Sequence, residues 1–250
     1  MFLFKDIITP DICRRHPEFL YVYGDNLKHT GTGGQAIIRD EPNSFGIPTK
    51  HEPTRSPAAY FSDRSDEVSV VERYLKELDE MSDGGRVIVL PTNPVGTGLA
   101  KLDEWSPKIA KMIRDWWSNK PRLYTSNFAS IKKDRSIRVI PITRFTPKWI
   151  DCEFEMKELS PKSLTLLKYK KGEINDKEYI YAFDDVLREL LPLNVIETCI
   201  DKDSAFTCFC GKGAFCHRHL VAEWIERELD IIINEFGYEK TKRKLGKLSR

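Results

Sequence analysis

Lys50 closes a short apolar stretch, Phe45-Gly46-Ile47-Pro48-Thr49-Lys50, that reads as a strand presenting an amine at its end. An amine kept partly neutral by desolvation can attack an electrophilic carbon, so Lys50 is a candidate nucleophile. Ligand-gripping residues lie upstream of it. Gly24-Asp25-Asn26 breaks the apolar run Tyr21 to Tyr23, and Gly31, Gly33 and Gly34 let backbone approach a ligand where a β-carbon would clash. A helix starting near Gln35 would turn free N–H groups toward an anion such as a pyrophosphate. A second glycine turn, Pro91-Thr92-Asn93-Pro94-Val95-Gly96-Thr97-Gly98-Leu99, also follows an apolar run. Neither turn is a Walker loop or a clean GxGxxG.

A third group lies near the far end: Cys208, Cys210, Cys216, His217, Arg218 and His219. The spacing C-x-C-x5-C-H-x-H departs from the paired C-x2–4-C of structural zinc sites, and Cys208 and Cys210 fall on an apolar run where cysteine is an ordinary small core residue. The spacing therefore assigns no metal. Cys216-His217-Arg218 reads instead as the opening of the last helix, where N–H groups and a guanidinium converge on an anion, with Gly211 and Gly213 leaving it room. The plainer alternative is an Arg and a His paired with acids.

These residues need elements to position them. Val68, Val71, Leu75, Leu78 and Met81 recur at the helical period, Gly84-Gly85 ends that helix, and Arg86 to Leu90 reads as a buried strand. Trp105, Ile109, Met112, Ile113 and Trp116 follow at helical spacing. Strand, glycine loop, helix thus occurs twice before residue 118, which implies a mixed or parallel sheet between helices. In such a sheet the two glycine loops gather at the carboxyl ends of the strands and can grip one ligand. Beyond Ser118-Asn119-Lys120-Pro121 the alternation restarts, with strands at Arg122–Phe128, Ile137–Thr143 and Phe206–Phe209. Helices are expected around Pro161–Lys170, along Tyr179 to Leu190, and from Cys216 with Leu220, Val221, Trp224, Ile225, Ile232 and Phe236 inward.

The totals agree with this division. At 250 residues the chain accommodates two modest cores, and 31% charged with 40% hydrophobic residues is neither disordered nor membrane-spanning composition. The expected organisation is α/β throughout: domain 1–120, domain 121–238, and a basic tail 239–250. Lys240 to Arg250 carries six Lys or Arg and no acid, a candidate contact for nucleic acid. Six cysteines without a basic-then-apolar leader point to the reducing cytoplasm rather than a disulfide framework.

Three pieces of the first half resemble a macrodomain, the ADP-ribose-binding α/β fold: Gly24-Asp25-Asn26, GTGGQAI from Gly31 to Ile37, and VLPTNPVGTGLAKL from Val89 to Leu102. The resemblance implies a three-layer domain with a mixed sheet. It also implies that Asp25 and Asn26 meet the adenine side, that Gly33, Gly34 and Gln35 hold the distal ribose, and that Thr92, Gly96, Thr97, Gly98 and Leu99 hold the diphosphate. Ile47 to His51 is similar to the lysine-bearing strand of the DarG-type branch, in which the lysine acts at the ribose anomeric carbon of ADP-ribosylated nucleobases. Carried over, this makes Lys50 catalytic, with ADP-ribose or ADP-ribosylated nucleic acid as partner and no cofactor. That branch's glycohydrolase has an aspartate directly after Gly-x-Gly-Leu; here the position is Ala100, with Asp103 three residues on. A non-catalytic binder of an NAD-derived nucleotide is the alternative.

The second half resembles the domain-of-unknown-function family 488, through Leu123 to Ala129, Lys168 to Tyr179 and CFCGKGAFCHRHLVAEWI from Cys208 to Ile225. It implies a second, Rossmann-like α/β domain with a site near Cys216, His217 and Arg218. A nucleic-acid-processing reaction there is a further alternative.

Overall fold

In the computed structural model, which describes residues 1–131, 134, 136–211 and 214–236, the chain forms two compact α/β units, Met1–Lys120 and the remainder from Pro121. The basic tail and Gly213 lie outside the described residues. Among the described residues no helix is long and apolar enough to cross a membrane.

The first unit runs β1 (Phe2–Lys5), α1 (Pro10–Arg15), β2 (Leu20–Asp25), a 3-10 turn at Gly34–Ile38, β3 (Ser44–Pro48), α2 (Ser65–Asp83), β4 (Ile88–Pro91), α3 (Leu102–Trp105) and α4 (Pro107–Ser118). The strands lie in the order β1-β4-β2-β3, and every pairing is parallel rather than mixed. The residue types account for this. Phe2, Leu3 and Phe4, Leu20 to Tyr23, and Ile88 to Leu90 are buried continuously, as strands covered on both faces must be. Their carboxyl ends, Lys5, Asp25, Pro48 and Pro91, therefore share one edge, where both glycine turns begin.

Two carboxylates fix the helices to that edge. Glu67, in the first turn of α2, accepts hydrogen bonds from the Ser62 and Arg64 amides. Asp63 accepts from the amides of Lys108 and Ile109, supplying α4 with a cap from a distant loop. Ser106-Pro107 suits a helix start, and α4 begins at Pro107, which has no amide to lose, leaving Trp105 at the end of the short α3. Indole N–H groups then tie α4 inward, Trp116 to Asp79 at 2.8 Å and Trp117 to the Pro91 carbonyl at 2.9 Å.

The second unit runs β5 (Leu123–Asn127), α5 (Phe128–Ile131), β6 (Arg138–Pro141), α6 (Ser163–Lys170), α7 (Asp176–Leu187), α8 (Pro192–Glu197), β7 (Ser204–Cys208), α9 (His217–Leu229) and β8 (Asn234–Glu235). Its strands lie in the order β6-β7-β5-β8, again all parallel. The last helix is shorter than its apolar pattern suggests. Asp230 takes a left-handed conformation (φ 52°) that ends α9, and the following segment adds β8 to β5, pairing Asn234 with Tyr124 and Glu235 with Thr125. Ile232 and Phe236 therefore lie beyond the helix, and Phe236 packs on Tyr124.

Candidate functional site

At the carboxyl edge of the first sheet the loops after β2, β3 and β4 converge. Gly24 brings the end of β2 against the second glycine turn, for a β-carbon there would stand 3.4 Å from Val95 Cβ. Thr49, just past β3, is bound to the Asp25 carbonyl through both its amide and its hydroxyl, at 2.9 and 3.0 Å. The two glycine turns touch through Leu99: a β-carbon on Gly33 would lie 3.1 Å from Leu99 Cδ1, and one on Gly34 would lie 3.9 Å away. Gly34 has φ 62°, and the single turn that follows it is 3-10 rather than the expected α-helix.

The other expected ligand residues sit around this junction. The Gln35 side chain accepts from the Ile8 amide (3.2 Å), which anchors the turn to the loop after β1. Thr92 lies one residue beyond β4, its hydroxyl oxygen buried with no partner among the described residues. Thr97 bonds the Pro94 carbonyl (3.1 Å), and Gly98 has open space where a side chain would be. Gly96 has φ 89°, and a β-carbon there would fall 2.2 Å from Leu102, so the turn requires glycine.

Asp25 is buried at this edge. Its carboxylate accepts from the Asn26 amide (2.6 Å), contacts His29 Nδ1 (2.8 Å) and Tyr23 Oη (3.4 Å), and pairs with Arg39. Asn26 holds the turn, donating to the Thr30 carbonyl and accepting from the Lys28 amide. Arg39 also donates to the carbonyls of Gly31 (3.0 Å) and Thr30 (3.2 Å), so one guanidinium clamps the glycine loop to the end of β2. Nothing in the spacing pairs Asp25 with Arg39, because the link runs across a loop rather than along a helix or strand.

Lys50 is buried, 8% exposed. It bridges Tyr60 in antiparallel fashion, donates to the Thr54 carbonyl (2.6 Å) and lies 4.1 Å from the centroid of the Tyr60 ring, which stacks on Trp105. Burial, reinforced by the nearby Arg55 and opposed by Glu52, holds the ammonium below the usual lysine range. Next along, His51 Nε2 meets the buried Glu67 carboxylate at 2.8 Å. Nothing in the linear sequence signals Tyr60, Trp105 and Glu67 as site residues, because they reach Lys50 and His51 only across loops. Ala100 is buried, and Asp103 is paired with Arg114.

In the second unit the carboxyl edge gathers a different set. Cys208 ends β7, and the chain turns so that the sulfurs of Cys208, Cys210 and Cys216 all lie within 4.8 Å of one another. Cys208 and Cys216 Sγ are 2.8 Å apart, and the Cys210 amide donates to Cys208 Sγ at 3.2 Å. Hydrogen bonds from Cys208 and then Cys216 pull the Cys210 thiol down, while burial pushes Cys216 up. His217 donates from Nε2 to the Ile142 carbonyl (2.8 Å), just past β6, and burial lowers its pKa.

Arg218, expected to face an anion, is fully buried and directs its donors inward. Nε and Nη2 meet Glu235 Oε1 at 3.2 and 2.8 Å, Nη2 reaches the Gly211 carbonyl, and Nη1 reaches the Cys210 carbonyl and Cys208 Sγ. Five N–H donors thus find five acceptances, the arrangement of the plainer reading, an Arg paired with an acid. The same carboxylate meets His219 Nε2 (3.2 Å) and accepts from the Thr125 hydroxyl (2.6 Å).

Residues 3–116 match a family of unknown function, DUF7831, and residues 123–229 match a family described as the active DUF488-N3 subclade. The second unit therefore contains a domain of a DUF488 subclade, whereas the match over the first unit is to DUF7831 and not to a macrodomain family. No curated protein and no solved structure matches the chain significantly.

Proposed function

We propose that the first unit binds ADP-ribose, or the ADP-ribose moiety of a modified nucleic acid, across the junction of its two glycine turns. The observation that carries this reading is the seat of Leu99 on Gly33: two anion-suited turns from different strands share one edge. The Thr92 hydroxyl just past β4, buried and without a partner among the described residues, supports it as a polar group at that edge.

Lys50 is the nucleophile in this proposal. Its neutral amine forms a bond to the ribose anomeric carbon as the carbon–base bond breaks. The base leaves with the electron pair and takes up a proton, and water then displaces the lysine to release ADP-ribose. Burial of the amine favours the neutral form that this step requires. Calorimetry with ADP-ribose on wild type, Gly33→Glu and Gly98→Glu tests the site, with binding expected in the first alone. Equal titration of all three with native circular dichroism overturns it. Release of ADP-ribose from thymidine-modified and guanosine-modified oligonucleotides tests the chemistry.

Two observations favour other readings. Ala100 is buried where an acid is needed, and Asp103 is tied to Arg114, which favours a binder that sequesters an NAD-derived nucleotide without cleaving it. A protein inert on both oligonucleotides despite binding ADP-ribose is that binder. The second unit's match is to a subclade described as active, which favours chemistry in that unit; nucleic-acid processing that survives both Gly98→Glu and Lys50→Ala is that outcome.

A further inference from the structure

The geometry points to a metal site that the linear spacing conceals: we propose that the sulfurs of Cys208, Cys210 and Cys216 hold one zinc-class ion in the second unit, with His217, whose Nδ1 lies 3.8 Å from Cys216 Sγ, turning to supply the fourth ligand. Tetrahedral zinc keeps thiolate sulfurs about 2.3 Å from the metal and hence about 3.8 Å from one another. The three sulfurs here lie within 4.8 Å of each other, and those of Cys208 and Cys216 are 2.8 Å apart, so they are gathered closely enough for one ion to reach all three. Three thiols held this close bring together large, soft donor atoms that suit a soft cation as a partner common to all three.

Three independent features complete the set. The Ile142 carbonyl can only accept, so the 2.8 Å contact fixes the proton of the neutral His217 ring on Nε2. That turns the Nδ1 lone pair toward Cys216 Sγ, 3.8 Å away, where it accepts from the thiol until a metal displaces the proton. A histidine oriented through its other nitrogen by a backbone carbonyl is the arrangement that prepares an imidazole for a metal. Second, the Cys210 amide points at Cys208 Sγ (3.2 Å), and an N–H aimed at sulfur stabilises the thiolate over the thiol. Third, Arg218 Nη1 lies 3.8 Å from the same sulfur and supplies positive charge against a thiolate-rich ion complex. Cys210 is partly exposed while Cys208 and Cys216 are buried, so the ion has a way in from solvent.

Binding involves no redox change. Each thiol gives its proton to solvent and its electron pair to the metal, and the imidazole donates a lone pair. With four protein ligands the site is closed and structural, tying the turn after β7 to the start of α9. Soft thiolates with one imidazole select zinc or cobalt over magnesium or calcium.

The test uses the full chain, purified with reductant and without chelator. Elemental analysis is expected to give one zinc per chain. Titrating cobalt(II) into the metal-free protein is expected to give thiolate-to-cobalt charge-transfer absorption and the intense visible bands of a tetrahedral ion, both displaced by zinc. Cys210→Ser, chosen because that side chain is partly exposed, is expected to weaken zinc at least about tenfold in chelator competition. Cys199→Ser, outside the cluster, keeps full stoichiometry. Reduced wild-type protein that carries no zinc and shows no charge-transfer band overturns the proposal whether or not the variants fold. So does a Cys208–Cys216 disulfide that persists in reductant. None of these readouts depends on ADP-ribose binding.

Discussion

Glu235 reaches back to Arg218, placing its Oε1 2.8 Å from Nη2 with both side chains enclosed, and so couples the last strand of the second sheet to the start of α9. The carboxylate is not merely a counterion. Through Oε2 it also takes the Thr125 hydroxyl and His219 Nε2, so a two-residue strand is held by one side chain to two other elements.

Glu235→Gln is expected to destabilise the second unit by about 3–5 kcal/mol near neutral pH, because it leaves a buried guanidinium uncompensated. Burial alone would raise the Glu235 pKa, but hydrogen bonds from His219, Arg218 and Thr125 outweigh it and hold the carboxyl at about 2, below the ordinary 4.5. A depressed folded-state pKa contributes stability above pH 4.5 that is lost as pH falls toward about 2. Denaturant melts of wild type and variant should therefore differ widely at pH 7 and converge in acid. A gap independent of pH would show that the carboxylate charge is not what matters.

Arg39→Ala is expected to cost about 3 kcal/mol by stripping the enclosed Asp25 of its cation. It should also free the carbonyls of Thr30 and Gly31, so amide exchange around residues 29–34 rises more than elsewhere in the first unit. Arg39→Lys should restore only part of the protection, since an ammonium lacks the planar fork that spans three acceptors. Exchange that is unchanged in Arg39→Ala would remove the clamp from the account of the loop.

The two glycines of the second turn should respond in opposite ways. Gly96→Ala forces a β-carbon 2.2 Å from Leu102 at φ 89°, and stability should fall by more than about 1 kcal/mol. Gly98→Glu meets open space and should melt like wild type, while its carboxylate repels a diphosphate and weakens ADP-ribose by at least about tenfold, or ~1.4 kcal/mol. Thermal melts paired with calorimetry separate the two effects.

Lys50→Ala is expected to abolish release of ADP-ribose from modified oligonucleotides while sparing ADP-ribose binding. Lys50→Arg should not rescue release, because a guanidinium stays protonated at any working pH. In wild type, release should increase as pH rises through the amine's pKa, with a midpoint below the ordinary 10.5, in keeping with the burial that lowers it. A release rate flat across that range, or undiminished in Lys50→Ala, would assign the chemistry elsewhere.

Local pattern was enough to determine the α/β class, the continuous apolar runs of β2 and β4, the amphipathic face of α2 and the glycine turns that follow two of the strands, because each depends on neighbours a few residues apart. Ser118 to Pro121 likewise reads as a break in the sequence, and the compact units divide at Lys120. What the sequence left open are relations between distant positions. The purely parallel order of each sheet depends on which strand inserts between which, and no periodicity encodes that. Asp25 with Arg39, Glu67 with His51, and Arg218 with Glu235 each join a buried side chain to a partner brought in by a loop, and Glu235 arrives only because a left-handed Asp230 stops a helix whose apolar pattern runs on. The cysteines show the limit most directly. Along the chain Cys208, Cys210 and Cys216 have a spacing that argues against a metal, yet their sulfurs converge because a strand end and a helix start meet at one edge of the sheet, a juxtaposition that only tertiary packing decides.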